Sequence, residues 1–281
     1  MSTLSIRLYA GIRAALLFTV SGLAATPARA QSSPPPASPS ALGEDFHIEG
    51  GISLWSPSAD ITIASSGSGA LAGIIGTTID AKNDLGLQDQ QLREFQVTFR
   101  PSPRHKIRFQ YIPIDYESSA TLNRTINFNG QHYDIGLPVN SSLQWNTYRF
   151  GYEFDFLRKS SGFAGFIVDL KYTDVQVSLN SPVTSEFTQV KGPIPAIGGI
   201  GRYYIVPSVA ITGELTVFQL PTIQDRYSGH YVDIDIYGTF NFIKNLGVQG
   251  GYRSIDVGVL DKLDTGSVTL KGIYFGFVAR Y

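Results

Sequence analysis

The 281-residue chain has no cysteine and a single methionine. Without thiols, disulfides, thiolate catalysis and a lipid-modified cysteine are all excluded, and a cysteine-free exported chain suits passage through an oxidising compartment. An excess of one charge is also missing. Lys and Arg number 22 against 23 Asp and Glu, which gives no basic footprint for nucleic acid. Long apolar runs are absent too: no segment reaches the roughly 18 uninterrupted apolar residues that a membrane-crossing helix needs.

The longest apolar stretch, Ala14 to Ala25, follows Arg7 and Arg13 and precedes the small residues Ala28-Arg29-Ala30. That order is the pattern of a cleaved secretory signal over residues 1–30. The signal carries three of the basic residues and no acid, so the remaining chain has a net charge of −4. Gln31 to Leu42 is rich in Pro, Ser and Ala and includes Pro34-Pro35-Pro36, a composition for an extended tether. The expected organisation is signal 1–30, linker 31–44 and one folded domain over 45–281.

What the chain does have is alternation. Phe46, Ile48, Ile52 and Leu54 stand against His47, Glu49, Gly51 and Ser53. Phe95, Val97 and Phe99 alternate with Glu94, Gln96, Thr98 and Arg100, and Pro101-Ser102-Pro103 ends that run. Ile107, Phe109 and Tyr111 oppose Lys106, Arg108 and Gln110 until Pro113 disturbs the pattern. Further segments run from about Gln144 to Phe156, Ala164 to Thr173, Ala196 to Tyr204, Ile211 to Val217, Tyr231 to Phe242 and Leu246 to Arg253. The last puts Ser267, Thr269, Lys271, Ile273, Phe275, Phe277, Ala279 and Tyr281 on one face. Period two over ten segments predicts ten strands, each with one apolar face.

The intervals after segments two, four, six and eight are short, whereas those after one, three, five, seven and nine are longer and polar. Phe128-Asn129-Gly130-Gln131 within one of them is a hairpin signal, because Asn-Gly accepts the positive φ angles of a type I′ turn. Aromatic residues crowd the strand ends near the short turns: Phe99, Phe154, Phe156, Phe163, Tyr203, Phe240, Phe242, Phe277 and Tyr281. A soluble β-sandwich would also alternate, but alternating short and long connections and aromatic girdles belong to an up-and-down transmembrane barrel. The fold class read here is all-β, an antiparallel up-and-down transmembrane β-barrel of about ten strands, with eight as the alternative count.

If the apolar faces meet lipid, the polar faces line the lumen. Glu94, Arg100, Arg108, Arg149, Glu153, Asp169, Lys171, Arg202, Glu214, Asp233, Asp235, Arg253 and Arg280 form the candidate lumen network, with Glu49 and Asp155 on the same faces. A barrel of this size is barely wider than its side chains can fill. Mixed charge signs therefore predict ion pairs that close the lumen, with a narrow selective channel as the alternative use of the same residues. Lys271 falls on the lipid side, where its stem can snorkel.

Catalytic and metal patterns are thin. His230 with Asp233 or Asp235, and His132 with Asp134, are the pairs to weigh against omptin-type proteases, which use aspartates and a His-Asp couple at the external rim; no omptin motif surrounds either pair. No Ser-His constellation of a lipid-modifying enzyme stands out. Asp80, Asn83, Asp84 and Asp89 around Leu85-Gly86-Leu87 lack the ligand spacing of a calcium loop and read as Asx turns. Ala70 to Ile75, within the long interval 56–90, is unusually apolar for an external loop.

With its signal, its meander of amphipathic strands and the ending Phe277-Val278-Ala279-Arg280-Tyr281, the chain resembles the small Gram-negative outer-membrane β-barrel proteins, the OmpA-like and OmpW-like group. The resemblance covers about residues 45 to 281. It implies an outer-membrane location, contact with lipid and lipopolysaccharide, and insertion by the barrel-assembly machinery through the aromatic-ended terminal strand. It brings no catalytic motif and no cofactor. Ten strands where the best-known members have eight, and no peptidoglycan-binding domain after the barrel, are departures. The expected role is non-enzymatic and structural, at the cell surface.

Overall fold

A computed structural model describes residues 41–224 and 226–281. The expected signal peptide and most of the linker lie outside the described residues. Ten long strands form among those described: β1 (Ile48–Ala64), β2 (Leu92–Ser102), β3 (His105–Thr121), β4 (Pro138–Lys159), β5 (Gly162–Asn180), β6 (Ser185–Val206), β7 (Val209–Ile223), β8 (Tyr227–Asn241), β9 (Leu246–Asp261) and β10 (Asp264–Arg280). Each pairs antiparallel with its chain neighbours, and β10 returns to pair with β1 from Glu49↔Arg280 to Ala64↔Thr265. The ring is closed, so in its lower part, where every neighbouring pair is laddered, the backbone groups find partners without water.

The strands are much longer than a membrane requires. Nine to eleven tilted residues cross the hydrocarbon, yet β4 and β6 have 22 residues and β5 has 19. The outward faces mark where the lipid stops. On β4 they are apolar from Phe156 to Tyr148 and then become Asn146, Gln144 and Ser142. On β5 they are apolar from Ala164 to Tyr172 and then Asp174, Gln176 and Ser178; on β10, Tyr281 to Ile273 gives way to Lys271, Thr269 and Ser267. At the boundary Tyr111 stacks on Tyr148 with ring centroids 4.7 Å apart, between Phe95 and Tyr172 on the flanking strands, an interfacial belt of amphipathic rings.

Beyond that belt the inward face changes as well. On β3 the inward side chains run Lys106, Arg108 and Gln110, then Ile112, Ile114 and Tyr116, without a change of register. Trp55, Ala59 and Ile61 of β1, Leu143 and Trp145 of β4, Tyr231, Ile255 and Leu270 meet them in one buried apolar cluster. The molecule therefore has two storeys. Within the bilayer it is apolar outside and charged inside; above, it is polar outside and apolar inside.

The structure corrects the sequence reading in three places. The polar intervals after segments five, seven and nine are strand rather than loop, and the turns there shrink to 181–184, 224–226 and 262–263. Pro113 does not end β3: it stays in register with Asn146 of β4, and the ladder to β2 on the other side already ends at Tyr111, so no N–H is required there. Phe46 and Phe163 turn inward instead of toward lipid: Phe46 lies under Arg100 and Arg280, and Phe163 under Lys106 and Arg202. Cationic groups over their ring faces give both a reason to be there.

Two real loops remain. Residues 65–91 follow β1, and because β2 is short this loop stands in for the missing upper part of that strand. Its two-residue strand Ile79–Asp80 pairs with Ile63 and Thr62, Ala59 N–H donates to Asp89 at 2.8 Å, and Ser118 Oγ donates to Leu85 O at 2.6 Å. The loop 122–137 holds the hairpin Ile126–Phe128/Gln131–Tyr133, with Asn129 at φ 50° and Gly130 at φ 80° as the Asn-Gly turn requires. Ala70 to Ala72, apolar as they are, form an exposed turn.

The facing assignment has a direct test. Ile236 is outward and central in the apolar stretch of β8, so Ile236→Arg should cost about 2–4 kcal/mol. Gln144→Arg, outward on the upper storey, should stay within about 0.5 kcal/mol. Denaturant titration of the protein in lipid vesicles separates the two.

Candidate functional site: the filled lumen

Alternation places one side chain in two over the axis, and the lower storey delivers its charges there. Lys106 of β3 pairs with Glu153 and, at 3.2 Å, with Asp155 of β4. Arg108 reaches Glu153 at 3.3 Å and crosses to Glu214 of β7 at 2.7 Å. Arg149 binds the other oxygen of Glu214 and lies 2.6 Å from Asp169. Lys171 of β5 joins Asp233 of β8 at 3.0 Å and Thr216 at 2.8 Å. Arg253 of β9 forks onto both oxygens of Asp233, at 3.0 and 2.8 Å, and crosses to Glu94 of β2 at 2.9 Å and Gln110 of β3 at 3.1 Å.

Arg108–Glu214, Arg149–Glu214, Lys171–Asp233 and Arg253–Glu94 are struts between strands that are not neighbours, and the other pairs brace adjacent strands. Several carboxylates sit between two cations and several cations between two carboxylates, which is the condition under which buried charge is tolerated. Of the thirteen residues named from the sequence, eleven enter ion pairs among the described residues. Arg100 instead donates to the backbone oxygens of Glu44 and Pro103, and Asp235 accepts from the Tyr274 hydroxyl at 3.0 Å. Voids of about 10 Å³ and about 30 Å³ lie beside the network, room for one water and a very few waters.

Sequence reading missed two parts of this interior. Glu44 precedes the first alternating segment, and nothing in its surroundings marks it as a partner for Arg202, 2.6 Å away. The upper apolar cluster was signalled by Ile112, Ile114 and Tyr116 alternating with Pro113, Asp115 and Glu117, a strand pattern in the opposite phase.

The histidine pairs resolve differently. His230 is on the outward face, with Nε2 3.2 Å from Asp256 Oδ2, while Asp233 and Asp235 point into the lumen, so neither of the two aspartates weighed from the sequence partners it. His132 Nε2 lies 3.3 Å from Asp134 on an exposed hairpin. No cluster of three or more metal-ligating side chains occurs among the described residues. In the loop 65–91, Asp80 Oδ1 accepts from the N–H groups of Lys82 and Asn83, each at 2.9 Å, as an Asx turn does. Asp84 accepts a fork from Arg124, at 2.8 and 2.6 Å, and that hydrogen bonding holds its carboxyl below the ordinary carboxylate range.

Two consequences can be measured. Arg253→Met leaves Asp233 and Glu94 buried without their shared cation and should cost about 3–5 kcal/mol; adding Asp233→Asn and Glu94→Gln should recover part of that loss in the same unfolding titration. A depressed carboxyl stabilises the fold above its unfolded pKa and stops doing so as pH falls through the folded value, so at neutral pH the Asp84–Arg124 contact is at full strength. Asp84→Asn should then speed tryptic cleavage after Arg124 several-fold, read by mass spectrometry of the limited digest.

No protein-family model matches the chain, and no curated protein matches it. Among solved structures it is similar to the outer membrane protease OmpT from Escherichia coli, at 10% identity over 85% of this chain and 98% of that one, with a TM-score of 0.53. Weaker matches are a FadL homologue from Pseudomonas aeruginosa (8% identity, 84% and 90% covered, TM-score 0.38) and the Pseudomonas putida toluene transporter TodX (9%, 84% and 90%, 0.34). What the first of these shares with this chain is the fold. The chain has an outer-membrane β-barrel fold.

Proposed function

We propose that this protein is an exported integral protein of a Gram-negative outer membrane, porin-like in architecture, with a structural and surface role and a lumen closed to solute flow. One observation carries the reading: the axis is filled twice, by cross-lumen ion pairs in the membrane storey and by the Trp55–Ile114–Trp145 cluster above it. Either layer alone would obstruct a permeant ion, the first by occupying its space and the second by offering it no polar partner. The loop 65–91 adds Ala81, Leu87 and the adjoining Leu92 to the upper layer.

The terminal strand, with Ile273, Phe275, Phe277 and Tyr281 outward, supports insertion by the barrel-assembly machinery. With the signal and the strand meander, it supports a resemblance to the OmpA-like and OmpW-like group, from which ten strands are a departure. The polar wall above the tyrosine belt stands where lipopolysaccharide would surround it. Neither His230 nor His132 is assigned a catalytic role.

Planar-bilayer recording of the purified protein tests the closed lumen. The expected result is a flat baseline without discrete steps. Reproducible single-channel steps would establish the alternative, a narrow channel for small solutes.

A further inference from the structure

The chain between Ala41 and His47 crosses the short-turn mouth of the barrel. At one end the N–H groups of His47 and Ile48 donate to Tyr281 O, at 2.7 and 2.9 Å. At the other, Leu42 N–H donates to Pro207 O in the β6–β7 turn at 2.6 Å, and Asn241 Nδ2 donates to Leu42 O at 2.7 Å. In a ten-strand ring β1 and that turn lie on opposite sides, so the segment is a strap across the opening. Gly43, at φ +82°, makes the bend where a Cβ would meet Arg280 and Asn241.

Midway along the strap Glu44 turns its carboxylate into the mouth, onto Arg202. That guanidinium is fixed independently of it: Arg202 also donates to Thr212 Oγ1 at 2.8 Å and to the Tyr237 hydroxyl at 3.2 Å, and lies over the Phe163 ring. Lys106 has Glu153 and Asp155, and Arg280 has Glu49, all from the wall itself. Arg202 alone among these receives its carboxylate from a segment outside the wall. The void of about 30 Å³ lies beside the contact, between Glu44, Lys106, Arg108 and Arg202.

A preorganised fork of donors, a second cation and adjacent free volume are what a carboxylate ligand needs. We infer that the short-turn mouth is a carboxylate-binding site, occupied here by the chain's own Glu44, and that an external carboxylate competes with the strap for Arg202. Tethering gives Glu44 a high effective concentration, so a free ligand binds weakly until the strap's carboxylate is removed.

Calorimetry on the full chain in detergent, with acetate as the probe and ionic strength held by chloride, tests this. Glu44→Ala should bind acetate roughly tenfold or more tightly than the parent, and Arg202→Gln in the same background should abolish the gain. Equal affinity in parent and Glu44→Ala, absence of binding in both, or tighter binding of phosphate than of acetate overturns the assignment. A second measurement leaves Glu44 and Arg202 in place. Asp45→Cys introduces the sole thiol of a cysteine-free chain, and a spin label there should gain mobility in molar acetate but not in molar chloride. A label equally immobile in both overturns the competition.

Discussion

The bilayer edge governs this molecule. The same pleated ribbon crosses two solvents, and a side chain at a given parity must answer to whichever one lies beside it. Below the row of Phe95, Tyr111, Tyr148 and Tyr172, acyl chains demand apolar outward residues and leave the axis to charge. Above that row water demands the reverse, so the axis becomes an ordinary hydrophobic core of Trp55, Ile112, Ile114, Leu143 and Trp145. The β3–β4 and β4–β5 ladders run through the boundary without a change of register. The inversion lies entirely in the order of side chains.

The two fillings stabilise the ring by different means. Apolar burial above is non-directional and tolerates substitution of similar volume. The ion pairs below are directional, since Arg253 must reach both Asp233 and Glu94, and Glu214 must receive both Arg108 and Arg149. Buried pairs of this kind add little net stability over a hydrophobic replacement, but each is costly to break. Their cross-lumen geometry ties β2 to β9, β3 and β4 to β7, and β5 to β8, which fixes the cross-section of the lower storey.

How much of this was legible in the sequence follows from what alternation encodes. Period two reveals a strand and its two faces, and it locates all ten strands; in the glycine-rich Ala196–Tyr204 segment it leaves the facing ambiguous, and only the cost of a charge in lipid turns Arg202 inward. It does not say which medium each face meets. Ile112-Pro113-Ile114-Asp115 therefore read as a broken pattern, although it continues the strand with the media exchanged. The same ambiguity turned the strand ends around Val175, Val190 and Val257 into loops. Glu44 was illegible for another reason: it lies outside any periodic segment, and only the closed ring brings Arg202 to it.

The wall is not equally thick all round. The β1–β10 seam is zipped over sixteen residue pairs, whereas β1 and β2 share eight, and above Leu92 the gap between β1 and β3 is covered by residues 79–91. That patch is sewn in by isolated contacts, Asp89 to Ala59, Leu85 to Ser118 and Asp84 to Arg124, in place of a continuous ladder. Local opening has its lowest free energy where ladder bonds are fewest, so thermal breathing of the upper rim concentrates at this darn in the fabric and leaves the fully laddered, four-strand rampart of β3 to β6 standing.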